Sequence, residues 1–262
     1  MAATRRLRRV KRNNATLHNV GGGQNNIRGR NKNRNKNRNT NSSLPFFKKA
    51  YVITMDTNSE RYKQMEASAK AAGVEVTKWD AVKVDDSMKD SLMEQGIGSI
   101  IFKGAKMRLR GAIGCYLAHR NAMTHAAEHP EGQATLIMED DVSIPPDFHE
   151  KMKAVLAELP RDWDVLYLDK VNPKAVKVSE HIQKFEKQMT THNNWGNWAY
   201  FVRNKSLKGK ILPLLKFMND PVDIQLHKFG DEINIYLATP SVVTLNKATT
   251  GNSNINKLNF NT

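Results

Sequence analysis

Three consecutive carboxylates, Glu139, Asp140 and Asp141, follow directly on the run Ala134-Thr135-Leu136-Ile137-Met138, and a turn signal, Pro145-Pro146, comes almost at once. An apolar, β-branched run that ends in charge reads as a buried strand opening onto a charged site. Side chains alternate along extended backbone, so Glu139 and Asp141 are expected on one face and Asp140 on the other. Acidic residues are rarely buried without partners, and the repulsion among three of them is relieved by a bound divalent cation. A solvated acidic turn is the competing reading. Other chemistry-bearing residues are spread more widely. Asp220 and Asp223 lie in the turn Asn219-Asp220-Pro221-Val222-Asp223, and His227 lies on the short helix expected after it. His119, Arg120 and His125 fall on or beside a helix expected from Gly111 to His129. For these histidines an ordinary hydrogen-bonded imidazole is preferred to metal ligation.

The elements that must position these groups follow from periodicity. Ala50 to Met55 reads as a strand, and a helix through about Ala72 follows, capped by Asn58 or Ser59 and stopped by Gly73. Val74 to Trp79 reads as a second strand. Strand, helix and strand in succession make the unit of a parallel sheet with helices on its faces, so the expected class is α/β. The stretch Val84 to Arg110 reads as a loop-rich insertion with one short helix. After the acidic strand come a helix from Pro146 to Leu159, a buried strand from Trp163 to Leu168, and a stretch from Lys170 to Asn194 of no clear pattern. Trp195 to Val202 reads as a strand, and its tryptophans, Trp195 and Trp198, are suited either to stacking on a sugar face or to the core. A helix interrupted at Pro213 and the strands Ile233 to Ala238 and Ser241 to Leu245 close the pattern.

Charge divides the chain. The formal net charge of +15 over 262 residues has the look of a nucleic-acid protein, yet residues 1–49 hold 14 of the 41 Lys and Arg residues and no Asp or Glu. That leaves 27 basic against 26 acidic residues in the remainder, which is nearly neutral. The early segment includes Asn31-Lys32-Asn33-Arg34-Asn35-Lys36-Asn37-Arg38-Asn39 and has too little apolar surface to offset the entropy of ordering. Three parts are therefore expected: a disordered basic tail over 1–44, a folded domain over 45–246 and a loose Asn-rich segment over 247–262. The tail is suited to contact with a polyanion or an anionic membrane surface, or to serving as a tether. The start lacks the apolar region of a signal peptide, and no run of about 18 apolar residues exists. The single Cys115 excludes an intrachain disulfide. Together these favour a cytoplasmic setting.

Several of these segments, taken in order, resemble glycosyltransferase family 25, which includes bacterial lipooligosaccharide galactosyltransferases and the collagen galactosyltransferases. The resemblance is carried by Tyr51-Val52-Ile53-Thr54-Met55-Asp56 with Arg61, by Gly111-Ala112-Ile113-Gly114-Cys115-Tyr116-Leu117-Ala118-His119-Arg120, and by Leu136 to Val142. Trp163 to Leu168, Ala199-Tyr200-Phe201-Val202, Pro221-Val222-Asp223 and Pro240-Ser241-Val242-Val243 follow in family order. Ala118, where the family usually has Ser, together with Thr57 and Leu245, departs from the pattern. The resemblance implies a GT-A-like, Rossmann-type nucleotide-sugar-binding fold with a mixed, mostly parallel sheet. It also implies a UDP-sugar donor, a divalent metal, and inverting transfer of a hexose, usually galactose, to a hydroxyl of a glycan or protein acceptor.

On that basis roles can be laid on residues. A hard cation would neutralise the diphosphate leaving group, and oxygen ligands favour Mn²⁺ or Mg²⁺, since the one cysteine is far from the triplet in sequence. Asp141 is the expected direct ligand, Glu139 assists on the same face, and His227 completes the set. Asp140 positions the ribose or a metal-bound water, and Arg61 pairs with phosphate oxygens. Asp223 is the expected base at the acceptor hydroxyl, with helix N-capping as its alternative role. Two other classes compete: a basic-tailed, metal-dependent nucleic-acid enzyme, and a catalytically silent sugar-binding relative. The near-neutral body opposes the first, and the intact acidic triplet opposes the second.

Overall fold

The computed structural model describes residues 46–97, 106–169, 175–186 and 196–246. The expected tail and the C-terminal segment lie outside the described residues, as does Trp195. The strands in chain order are β1 (Phe47–Thr54), β2 (Thr77–Asp80), β3 (Ala134–Glu139), β4 (Val142–Ser143), β5 (Val165–Tyr167), β6 (Val176–Lys177), β7 (Ile182–Lys184), β8 (Ala199–Arg203), β9 (Ile235–Ala238) and β10 (Thr244–Leu245). The helices are α1 (Glu60–Ala71), α2 (Asp86–Glu94), α3 (Lys106–Glu128), α4 (Phe148–Glu158), α5 (Asn204–Ser206), α6 (Leu212–Leu214) and α7 (Val222–Lys228), with a π-helical turn Leu207–Ile211 between α5 and α6.

Eight strands form one mixed sheet in the order β2-β1-β3-β8-β5-β9-β7-β6, and β4 pairs with β10 in a small second sheet. β1 runs parallel to both β2 and β3, and β5 runs parallel to β9. β8 is inserted antiparallel between β3 and β5, and β7 is antiparallel to β9 and to β6. Six of the eight strands therefore share one direction, which is the mostly parallel α/β arrangement expected.

The central strands are apolar on both sides because both faces are covered. Tyr51, Ile53, Ile137, Tyr167 and Tyr200 face a cluster with Ile113, Tyr116 and Met123 of α3 and Leu226 of α7. Their strand neighbours Val52, Leu136, Met138 and Phe201 face Met65 of α1 and Phe148 and Met152 of α4. The two-residue period thus sends alternate side chains into two cores, and each large apolar side chain buried there contributes about 1.5–3 kcal/mol. Among the described residues no helix is long and apolar enough to cross a membrane.

Local signals explain the element ends. The Ser59 hydroxyl caps α1 by accepting the Tyr62 N–H at 3.2 Å. At the other end Gly73, with φ of +68°, donates to Lys70 O, and Val74 donates to Ala69 O. That two-bond ending occupies Val74, so β2 begins at Thr77 rather than at Val74 as expected. α3 begins at Lys106, earlier than the expected Gly111, and the patternless stretch holds the β6–β7 hairpin. Gly114 is where α3 crosses the chain closely. A Cβ there would lie 2.2 Å from the Val82 carbonyl oxygen, so only glycine fits.

Candidate active site

β3 ends at Glu139, and the chain turns at once through Asp140 and Asp141 into β4. The turn breaks strand alternation. The expected separation of Asp140 from Asp141 does not hold, because both reach the same guanidinium nitrogen of Arg61 on α1. Arg61 Nη2 lies 2.6 Å from Asp140 Oδ1 and 3.3 Å from Asp141 Oδ2. The hydroxyl of Thr54, the last residue of the neighbouring strand β1, donates to Asp140 Oδ2 at 2.7 Å. Both aspartates are buried. Burial pushes the Asp140 carboxyl up, opposed by Thr54 and Arg61. For Asp141 burial, and after it the Glu139 charge, raise the carboxyl to about 7, with Arg61 opposing.

Glu139 points toward α3. Its Oε1 lies 3.5 Å from His119 Nε2, and His119 Nδ1 shares a 2.8 Å hydrogen bond with the Tyr200 hydroxyl. Cys115, one helical turn before His119, belongs to the same cluster, and burial followed by the charges of Glu139 and Asp223 pushes its thiol well up. On the opposite side of β8, the Tyr167 hydroxyl donates to Asn197 Oδ1 at 2.7 Å, and the Tyr167 and Tyr200 rings lie 5.6 Å apart. The ends of β3 and β5, the start of β8 and one face of α3 thus meet in a polar, largely buried patch.

Asp223 enters from α7. Pro221, not Asp223, occupies the N-cap of that helix, with no side-chain cap bond. Asp223 is buried in the first turn, and its Oδ2 accepts the Gly196 N–H at 2.6 Å. Gly196 has φ of +106°, and a Cβ on it would come within 2.5 Å of the Trp198 ring, so this contact requires glycine. His227, one turn further along α7, stacks on Phe185 at 4.3 Å and meets Tyr167 edge-on at 5.5 Å.

The expected site residues therefore divide. Arg61, Asp140 and Asp141 meet directly, Glu139 acts on Asp141 through its charge, and Asp223 stands beside the start of β8. His227 is held among aromatic rings, and among the described residues it belongs to neither cluster of converging His, Cys, Asp and Glu ligand atoms. Thr54, Tyr167 and Tyr200 stand in segments that carry the family resemblance, but no sequence signal assigned them, or Asn197, a role at the site. Cys115 and His119 did carry one: their four-residue spacing on a predicted helix puts both side chains on one face.

Whether this patch suits a hard divalent cation can be judged from its atoms. Asp141 Oδ1 is buried with no hydrogen-bond partner, and the charges acting on Asp141 are those of Glu139 and Asp140 against Arg61. Among the described residues Asp141, like His227, belongs to neither cluster of converging ligand atoms; its open carboxylate oxygen is the feature suited to a hard cation, which Asp141 and Glu139 would hold.

The class of protein is set by a family match: the chain is a glycosyltransferase. The model of glycosyltransferase family 25, an LPS biosynthesis protein family, matches residues 47–224, and the chain belongs to that family. No curated protein sequence matches it significantly. Similar solved structures include A197 from STIV, at 12% identity and a TM-score of 0.42, covering 74% of this chain and 82% of that one. Another is the inositol-1-phosphate CTP transferase from T. maritima, at 13% identity and a TM-score of 0.41, covering 82% and 96%. S. aureus TarS 1-349 in complex with UDP-GlcNAc aligns at 12% identity and a TM-score of 0.38, covering 76% and 58%.

Proposed function

We propose that this glycosyltransferase is inverting and metal-dependent, and that it moves a hexose, galactose above all, from a UDP-sugar to a hydroxyl of a glycan or protein acceptor. Support comes first from the buried Asp141 Oδ1, which lacks a hydrogen-bond partner at the turn where Asp140, Asp141 and Arg61 meet. Asp141 and Glu139 would hold Mn²⁺ or Mg²⁺, and the ion when bound supplies charge neutralisation for the diphosphate leaving group. His227 is the weakest of the expected ligands, since its ring contacts account for its burial.

The chain's own residues do the rest. Arg61 fixes the acidic turn and is the residue to pair with the phosphate oxygens of the donor. Asp140, held by Thr54 and Arg61, is shaped to receive the ribose hydroxyls. Asp223 keeps one oxygen on the Gly196 N–H and offers the other to the acceptor. The acceptor oxygen then forms its bond to the anomeric carbon as the bond from that carbon to the diphosphate breaks. The hydroxyl proton passes to Asp223, and UDP leaves from the opposite face.

Calorimetric titration of UDP-galactose into the wild type and Asp141→Asn, each with and without Mn²⁺, tests the donor site. Added Mn²⁺ should tighten binding to the wild type and not to the variant. Equal affinities in all four titrations would refute the metal assignment and the mechanism built on it.

A further inference from the structure

The face of α3 that turns toward the end of β3 carries Cys115 and His119, four residues apart and therefore stacked one above the other. One ligand atom each from Cys115, His119 and Glu139 lie within 4.8 Å of one another. His119 is fully buried, yet its Nε2 has no hydrogen-bond partner and faces Glu139 Oε1 at 3.5 Å, too long for a good hydrogen bond. Its Nδ1 is fixed by the Tyr200 hydroxyl at 2.8 Å. A buried imidazole nitrogen so oriented and so left open is the arrangement of a metal-ligating histidine, whose other nitrogen is held by a neighbouring group.

We propose that Cys115, His119 and Glu139 form a binding site for a zinc-class divalent cation, separate in its chemistry from the oxygen ligands around Asp141. The set offers one sulfur, one nitrogen and one oxygen, a combination that selects borderline-soft ions over Mn²⁺ or Mg²⁺ and leaves a fourth position open. Metal binding selects the tautomer in which Nδ1 donates to the Tyr200 hydroxyl and the lone pair sits on Nε2, toward Glu139 and Cys115. On binding, the Cys115 S–H bond breaks, its proton goes to solvent, and the sulfur–cation bond forms without any change of oxidation state. Glu139 is common to both cation sites. A zinc-class ion at the α3 site therefore draws Glu139 away from Asp141 and antagonises Mn²⁺-dependent donor binding. That consequence rests on the donor-site reading above, whereas binding of the ion does not.

The test is a Co²⁺ titration of the full-length chain followed by absorbance. Cys115 is the single cysteine, so a thiolate-to-cobalt charge-transfer band reports this site alone. The band should saturate at one cation per chain, disappear on adding Zn²⁺, and be absent in Cys115→Ser. Affinity should fall roughly 10–100-fold in Tyr200→Phe, which removes only the group orienting His119. No band in the wild type overturns the proposal, and so does a band of unchanged affinity in both His119→Gln and Glu139→Gln, because the thiol is then binding alone. Should Cys115→Ser not fold, alkylation of the wild-type thiol serves instead: protection by Zn²⁺ is expected, and none refutes the site. Asp141→Asn should keep the cobalt band while losing Mn²⁺-dependent UDP-galactose binding, and Cys115→Ser should do the reverse, so either site can fail without the other.

Discussion

Consider Asp141→Asn in protein stripped of metal by chelator. Burial and the Glu139 charge hold the Asp141 carboxyl at about 7, against an ordinary value of 3.8. The folded state therefore keeps this proton over a range in which the unfolded chain has lost it. Stability associated with Asp141 is fully present below about pH 4 and is lost as pH rises to about 7. A tenfold change in proton affinity corresponds to about 1.4 kcal/mol, so the full displacement is worth about 4 kcal/mol. Asparagine has no proton to lose, but it also gives up the 3.3 Å contact with Arg61. The net expectation at pH 8 is a metal-free variant more stable than the wild type by roughly 2–4 kcal/mol, or roughly 4–16 °C in Tm for a domain of this size. At pH 4 the two should unfold within about 1 kcal/mol of each other. Thermal unfolding by circular dichroism from pH 4 to pH 8 in chelator measures this, and subtracting the variant's curve removes the titrating groups remote from the acidic turn. Adding Mn²⁺ at a hundredfold excess over its Kd should return about 2.7 kcal/mol to the wild type and nothing to the variant. A wild-type minus variant difference that stays flat with pH would refute the account of Asp141 as a carboxylate made unstable by its surroundings.

Further outcomes follow from particular contacts. Asp223→Asn keeps the size of the side chain and an oxygen for the Gly196 N–H while removing the proton acceptor, so transfer should fall roughly 10²–10⁴-fold with little change in donor affinity. Steady-state kinetics beside a donor titration would show it, and near wild-type turnover would place the base elsewhere. Gly114→Ala sets a methyl 2.2 Å from the Val82 carbonyl and should cost about 1–3 kcal/mol in denaturant unfolding, whereas Gly209→Ala, with nothing within 4 Å of the new Cβ, should not. Removing residues 1–43 should leave Tm nearly unchanged and weaken salt-sensitive adsorption to polyanions, because that segment carries 12 basic residues and no acidic one. A loss of cooperative unfolding on that truncation would show that the tail packs against the domain.

What the sequence determined on its own is what neighbouring residues encode together. The apolar run into Glu139-Asp140-Asp141 specifies a buried strand with charge at its end, and Ser59 and Gly73 specify the two ends of α1. Two-residue and near-four-residue periods, with turn residues between them, are enough for an α/β chain. Tertiary structure decided the partners. The tight turn after Glu139 brings Asp140 and Asp141 to one nitrogen of Arg61, where strict alternation would have parted the two. The insertion of β8 between β3 and β5 sets Tyr200 against His119, and Gly196 against Asp223, pairs that lie 81 and 27 residues apart in the chain. Cys115 and His119 are neighbours on a helix that the sequence reveals, but their approach to Glu139 depends on Gly114 letting α3 settle against Val82. No local pattern contains such distances. They are fixed only when two apolar faces of one sheet are buried at once and every strand must take the place that satisfies both.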